Sequence, residues 1–248
     1  MAQQIERQSW SVPLSDGAPA RQRFWWAVWA VVRKDVRSEL RTRYALNALA
    51  MFALTVVLVV SFYLGTRLSP RGLETPAIQS TLMWVALFFT ALTGLSRAFV
   101  HEEEAQTATL LRLHVPPLAV FTGKWLLNLG LVTIVNVVVP VLLGMLLRMR
   151  VDNVPLLALT LLLGGLGLAT TMTVISAIIA KASAQGALFA ALTFPVAFPL
   201  LVLAITATEQ ALIGAPWRQA APQLQGLGAF AIATIAAAVV LFPSVWDA

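Results

Sequence analysis

The chain has 248 residues, 59% of them hydrophobic and only 11% charged, with a mean hydropathy of +0.82. A soluble domain is roughly a quarter charged, so that class is excluded and an all-α polytopic membrane protein is expected. In such a chain the formal charge of +6 reads as basic loops against an anionic leaflet, not as a nucleic-acid surface.

Residues 1–20 are polar and irregular, with Pro13, Asp16, Gly17 and Pro19. They lack the cationic start, apolar centre and small-residue cleavage site of a signal peptide, and they read as a disordered cytoplasmic tail. Residues 21–43 predict a helix. At 100° per residue, Phe24, Trp25, Val28, Trp29, Val31, Val32 and Val36 make one broad apolar arc. Arg23, Arg33, Lys34, Arg37 and Arg41 gather on the other side. Aromatic anchors with a basic face predict an interfacial helix lying on membrane lipids; a plain anchor with positive-inside charges is the alternative. Asp35 and Glu39 project near the apolar arc one turn apart. Like charges at that spacing repel, so both are expected to face protein groups, such as a basic partner.

Six uncharged runs follow, at 45–64, 78–96, 125–147, 154–180, 187–208 and 227–246. Each is long enough to cross a hydrocarbon core of about 30 Å as a helix. Between the second and third runs, residues 97–124 carry Glu102, Glu103 and Glu104, then Leu110, Leu111 and Leu113, and the pair Pro116-Pro117 is expected to end the helix. An acidic run beside an apolar helical stretch suits a docking helix; a solvated charge run is the alternative. The fourth run holds Gly164, Gly165 and Gly167 and the hydroxyls of Thr170, Thr171, Thr173 and Ser176, which predict close helix approach and interhelical hydrogen bonds. In the fifth, Pro195 and Pro199 each remove a backbone donor and predict a kink or break. Residues 209–225, with Pro216, Trp217 and Pro222, read as an interfacial or re-entrant stretch on the outer side.

Orientation follows from lysine and arginine. Twelve lie in the N-terminal segment, the 97–124 loop and the turn at Lys181, against five on the opposite side, so both termini are expected in the cytoplasm. The runs contain no Asp, Glu, His, Lys or Arg, and their hydroxyls have no base beside them. Gly164–Gly167 lies mid-span with no following lysine and is not a phosphate loop. Cysteine is absent, which excludes disulfides, thiolate metal sites and cysteine nucleophiles. His101 and His114 read as solvated or capping residues, not as metal or heme ligands. Catalysis by this chain, a bound metal and a bound cofactor are therefore not expected. Work for transport would come from another subunit.

Several stretches resemble the heme exporter protein B family, the permease subunits of cytochrome c maturation ABC transporters. They are Arg33-Lys34-Asp35-Val36 with Glu39 and Arg41; Leu95-Ser96-Arg97-Ala98-Phe99 followed by Glu102 and Glu104; Pro116, Gly123-Lys124 and Asn128; the double proline of the fifth run; and Phe242-Pro243-Ser244-Val245-Trp246. Order and spacing carry the likeness, which runs from about Trp29 to the end. Glu103 lies outside the family's acidic pair, and Ala105 stands where the family usually has glycine. The resemblance implies a six-span ABC-2-type permease domain over 21–248 in a bacterial inner membrane. It implies an ATPase subunit that binds the ATP, a heme-handling membrane subunit, a periplasmic heme chaperone, and a second permease copy or paralogous subunit. ATPase coupling would fall to Arg97, Phe99, Glu102, Glu103, Glu104, Leu110 and Leu111. Heme enters as a transported or handled ligand. The competing readings are an ABC-2 permease for a polysaccharide, lipid or drug, and a scaffold with no transport role.

Overall fold

The computed structural model describes residues 20–64, 75–95, 99, 115–180, 182 and 185–247. These residues form seven helices: α1 (Ala20–Thr42), α2 (Tyr44–Leu64), α3 (Thr75–Leu95), α4 (Pro117–Leu146), α5 (Val154–Ile179), α6 (Gln185–Leu212) and α7 (Trp217–Asp247). Six of them, α2 to α7, are long and apolar enough to cross a membrane, as the six runs predict.

Side-chain contacts set the helices in alternating directions. The start of α3 meets the end of α4 through Gln79 and the Leu147 carbonyl. The start of α4 meets the end of α7 through Phe121 and Phe242. One end of the bundle therefore gathers α1, the start of α4 and the ends of α5 and α7.

Helix boundaries differ from the sequence expectation where proline is involved. Pro116-Pro117 begins α4, with Pro117 in the first turn. Proline has no N–H to lose there, and its fixed φ suits that turn. As a result α4 starts eight residues before 125 and takes Gly123 and Lys124 into the helix. The stretch 209–225, expected to be interfacial or re-entrant, is helical on either side of residues 213–216. It is the end of α6, a short turn, and the start of α7, which runs through Pro222. Gly214 makes the turn at φ +69, and a Cβ there would lie 3.0 Å from Asp152 Cβ. Asn153 secures the same corner. It caps α5 by accepting from Leu156 N at 3.1 Å, and its amide donates to the Ala215 carbonyl at 3.2 Å.

The centre of the bundle is α5. Its glycines each receive a different helix. A Cβ at Gly164 would run into Trp84 of α3, one at Gly165 into Asn136 of α4, and one at Gly167 into Leu200 of α6, with Phe230 of α7 close behind. Lipid tails are as apolar as leucine, so close packing and polar contacts, not the hydrophobic effect, hold such helices together. The polar contacts are in place. Trp84 Nε1 donates to Thr208 Oγ1 at 2.8 Å, Trp125 Nε1 to Thr170 Oγ1 at 2.9 Å, Asn128 to Thr173 Oγ1 at 2.9 Å, and Asn136 to the Leu161 carbonyl at 2.8 Å. Interhelical bonds of this kind contribute about 0.6 kcal/mol each in a bilayer. By contrast α2 is peripheral. It buries Leu49, Ala53 and Val57 at four-residue spacing and leaves Met51, Leu54, Leu58, Val59 and Phe62 outward.

Candidate functional site at the α1 end of the bundle

Three residues of α1 spaced three and four apart, Val28, Val31 and Asp35, are buried. They face the second turn of α4. Gly123 makes the approach possible, because a Cβ there would lie 2.7 Å from Val31 Cγ1 and 3.3 Å from the Val28 carbonyl. The apolar arc expected to face lipid is thus divided. Val28 and Val31 pack on protein, while Trp25 and Trp29 stay 53% and 63% exposed. With Trp26, Arg21 and Gln22 these tryptophans line an open groove.

Next to Gly123, the Lys124 Nζ lies 3.1 Å from Asp35 Oδ2, and the two side chains are 4% and 9% exposed. Lys34 reaches the other carboxylate oxygen from the surface at 3.2 Å. Asp35 therefore faces a basic group supplied by this chain itself. Two charges removed from water need close geometry and further polar partners, or desolvation exceeds their attraction. Here the second ammonium supplies part of that compensation. Glu39, one turn on, accepts from Leu46 N at 3.0 Å. That N–H belongs to the first turn of α2 and has no partner within its helix. The carboxylate also sits at the positive end of the helix dipole. The joint between α1 and α2 is a single residue, Arg43, at φ 53.

The Lys124 ammonium also stands over the Phe99 ring, 5.3 Å from its centroid. Phe99 is 1% exposed, and its backbone N–H donates to Ser176 Oγ of α5 at 3.3 Å. Around it lie Phe242 at 5.4 Å and Trp246 at 6.0 Å, and Phe121 completes the cluster, 5.0 Å from Phe242. Phe99, which the family resemblance gave to ATPase coupling, is packed among aromatic side chains of its own chain.

The remaining expected site residues separate into three groups. Arg97, Glu102, Glu103, Glu104, Leu110 and Leu111, with His101 and His114, lie outside the described residues. Arg33 and Arg41 are exposed on α1. Pro195 and Pro199 lie on an exposed face of α6, which continues through both without a break. Sequence reasoning missed Lys124 as a site residue by counting it with the loop. Its signal was present: it is the only charge between Pro116 and Leu147, and Asp35 needed a base. Ser176 was read as a hydroxyl for interhelical hydrogen bonds, without Phe99 as its partner, and Phe121 carried no comparable signal. Among the described residues, α1, Phe99 near the start of the 97–124 loop, α4, α5 and α7 meet here.

A protein of Bradyrhizobium diazoefficiens called heme exporter protein B is 30% identical over 193 residues, covering 76% of this chain and 83% of that protein. A family model described as CcmB protein matches residues 26–244, a span that includes Asp35, Phe99, Lys124, Ser176 and Phe242. The chain belongs to the CcmB family.

Proposed function

We propose that the chain is the membrane-spanning permease subunit of an ABC exporter that serves cytochrome c maturation. The observation that carries this reading is the family match over 26–244, with the relative named heme exporter protein B in support. The chain's own chemistry fits a passive role. Its six apolar helices hold no catalytic constellation among the described residues, so the energy must come from an ATP-binding subunit.

That subunit docks on the 97–124 loop, on the cytoplasmic side. Glu102 and Glu104 present its charge, and Leu110 and Leu111 fill an apolar cleft. Phe99, near the start of the loop, lies against Lys124 in the second turn of α4, so force applied to the loop passes to that helix. Both termini are cytoplasmic, as the lysine and arginine bias requires. The α1 helix lies in the inner face of the inner membrane. Its third side supports this placement: Trp25, Trp29 and Leu40 project between the stripe on α4 and the basic stripe of Arg33, Arg37 and Arg41, and all six side chains are exposed. A heme-handling membrane subunit, a periplasmic heme chaperone and a second permease copy or paralogue complete the assembly. We favour coupling of ATP hydrolysis to release of the heme-loaded chaperone, because the spans hold no histidine to ligate heme.

Purifying the intact complex under mild conditions, identifying its subunits and recording a heme spectrum of each tests the reading. An ATPase subunit and a heme-handling subunit should co-purify with this chain, with heme on the latter. Co-purification with enzymes of polysaccharide or lipid export instead would reject it.

A further inference from the structure

Lys124 reaches three elements at once. It belongs to α4, its ammonium is bonded to Asp35 of α1 at 3.1 Å, and it stands over Phe99 at 5.3 Å. Phe99 is near the start of the 97–124 stretch and Lys124 lies in the second turn of α4, so the start of the loop and the helix that follows it meet at this one side chain. At this point Val28 and Val31 also close on Gly123. In a bilayer such contacts are weak in specificity, since acyl chains can replace them at little cost. No acyl chain can replace the carboxylate of Asp35. Beyond Asp35, α1 joins the bundle by covalent connection through Arg43, a single residue at φ 53, and by the Glu39 cap on Leu46. Without the ion pair, α1 would be held on α4 at this point by the packing of Val28 and Val31 alone.

We propose that Lys124 and Asp35 form a latch that makes α1, the start of the loop and α4 move as one body, so that a push on the loop reaches α1 and α4 together. Lys124 is a positioning residue in this scheme and touches no cargo. The proposal rests on the reading of the 97–124 loop as the seat of the ATPase subunit. A buried ion pair is poor evidence for stability, because a neutral pair of similar size is often as stable or more so. Its placement at a joint between three elements points to a mechanical use.

The test is the double variant Asp35→Asn/Lys124→Met, which removes both charges together. Because the chain has no cysteine, Val31→Cys added to each background reports whether α1 stays on α4. In the double variant, maleimide labelling at position 31 should accelerate at least tenfold over the otherwise wild-type background. The complex should still assemble and hydrolyse ATP within about twofold of wild type, while cytochrome c yield falls at least tenfold. Lys34→Ala, which removes only the exposed ammonium, should keep full yield. Unchanged labelling, or full cytochrome c yield from the double variant, overturns the latch. A double variant that fails to accumulate in the membrane also overturns it, since the pair would then serve stability. A wild-type chain that purifies with no ATPase subunit defeats the underlying reading and the latch with it. A coupled wild-type complex with a normally coupled double variant defeats the latch alone.

Discussion

Gly164 and Gly130 both sit inside helices, yet a methyl group added to each meets opposite surroundings. At Gly164 it collides with the Trp84 ring, while at Gly130 nothing lies within 4 Å. Gly164→Ala should therefore destabilise by about 1–3 kcal/mol through overpacking. Gly130→Ala should be neutral or stabilise by up to about 1 kcal/mol, since alanine is the better helix former. Unfolding of the two variants in detergent measures the difference; equal behaviour would refute the close approach of α3 to α5. The charges at the α1 end allow a similar contrast. Lys124→Met leaves the buried Asp35 carboxylate with only the surface ammonium of Lys34, and loss of one member of a buried pair costs about 3–5 kcal/mol. Lys34 is 45% exposed, so Lys34→Ala should cost no more than about 1 kcal/mol. Similar losses from the two variants would mean that burial does not distinguish the two contacts.

At the scale of elements, the loop and the proline helix carry the predictions. Truncating one member of a desolvated interfacial charge pair costs about 2–5 kcal/mol, or roughly 30- to several-thousand-fold in affinity. Glu102→Lys with Glu104→Lys should therefore release or uncouple the ATPase subunit, while Glu74→Lys, expected on the outer side, should not. A stable complex of the double reversal with normally coupled ATPase activity would remove the loop from the transmission path. In α6, Pro195 leaves the Ala191 carbonyl without its usual donor and Pro199 does the same to the Pro195 carbonyl. Their exposed face means that alanine at both positions fills no packed space. Such a chain should insert at the wild-type level and lower cytochrome c yield by straightening the helix; full yield would leave the prolines as lipid-facing residues. Much of this layer was legible beforehand. The runs at 45–64 and 154–180 coincide with α2 and α5 to within a residue or two, because lipid demands long uncharged helices and nothing else competes. The starts of α4 and α7 were not legible. Pro116-Pro117 and Pro216-Trp217 suit both the end of one segment and the first turn of the next, and only the partners that bury Phe121, Lys124 and Ala220 decide between them.

For the whole molecule, the testable property is which end of the bundle lies outside. Asn153 is committed to the α5 cap and to Ala215, so the neighbouring exposed Arg150 is the better reporter. A single cysteine at Arg150 should react with an impermeant reagent in intact spheroplasts, and one at Arg37 only after lysis; the reverse pattern would invert the assembly. The candidate site was legible in part at this scale. Asp35 and Glu39 announced buried roles because acids on an apolar arc need partners. Lys124 remained hidden because its partner lies on another helix, 89 positions away in sequence, and no local pattern encodes a contact of that range.

The arrangement of α5 also fixes an order of events during synthesis. Trp84 and Asn136, which lie over Gly164 and Gly165, precede α5 in the chain, whereas Leu200 and Phe230, which lie over Gly167, follow it. When α5 leaves the ribosome and enters the bilayer, one side can be housed at once, and the notch at Gly167 stays open until α6 and α7 arrive. Until then that flank, cut down to glycine, faces acyl chains that do not fit it. A nascent chain halted between Ile179 and Trp217 would therefore carry an open seam along its central helix. Such a fragment is the form of this protein that membrane proteases and insertion chaperones should recognise first, well before any fault in the finished bundle.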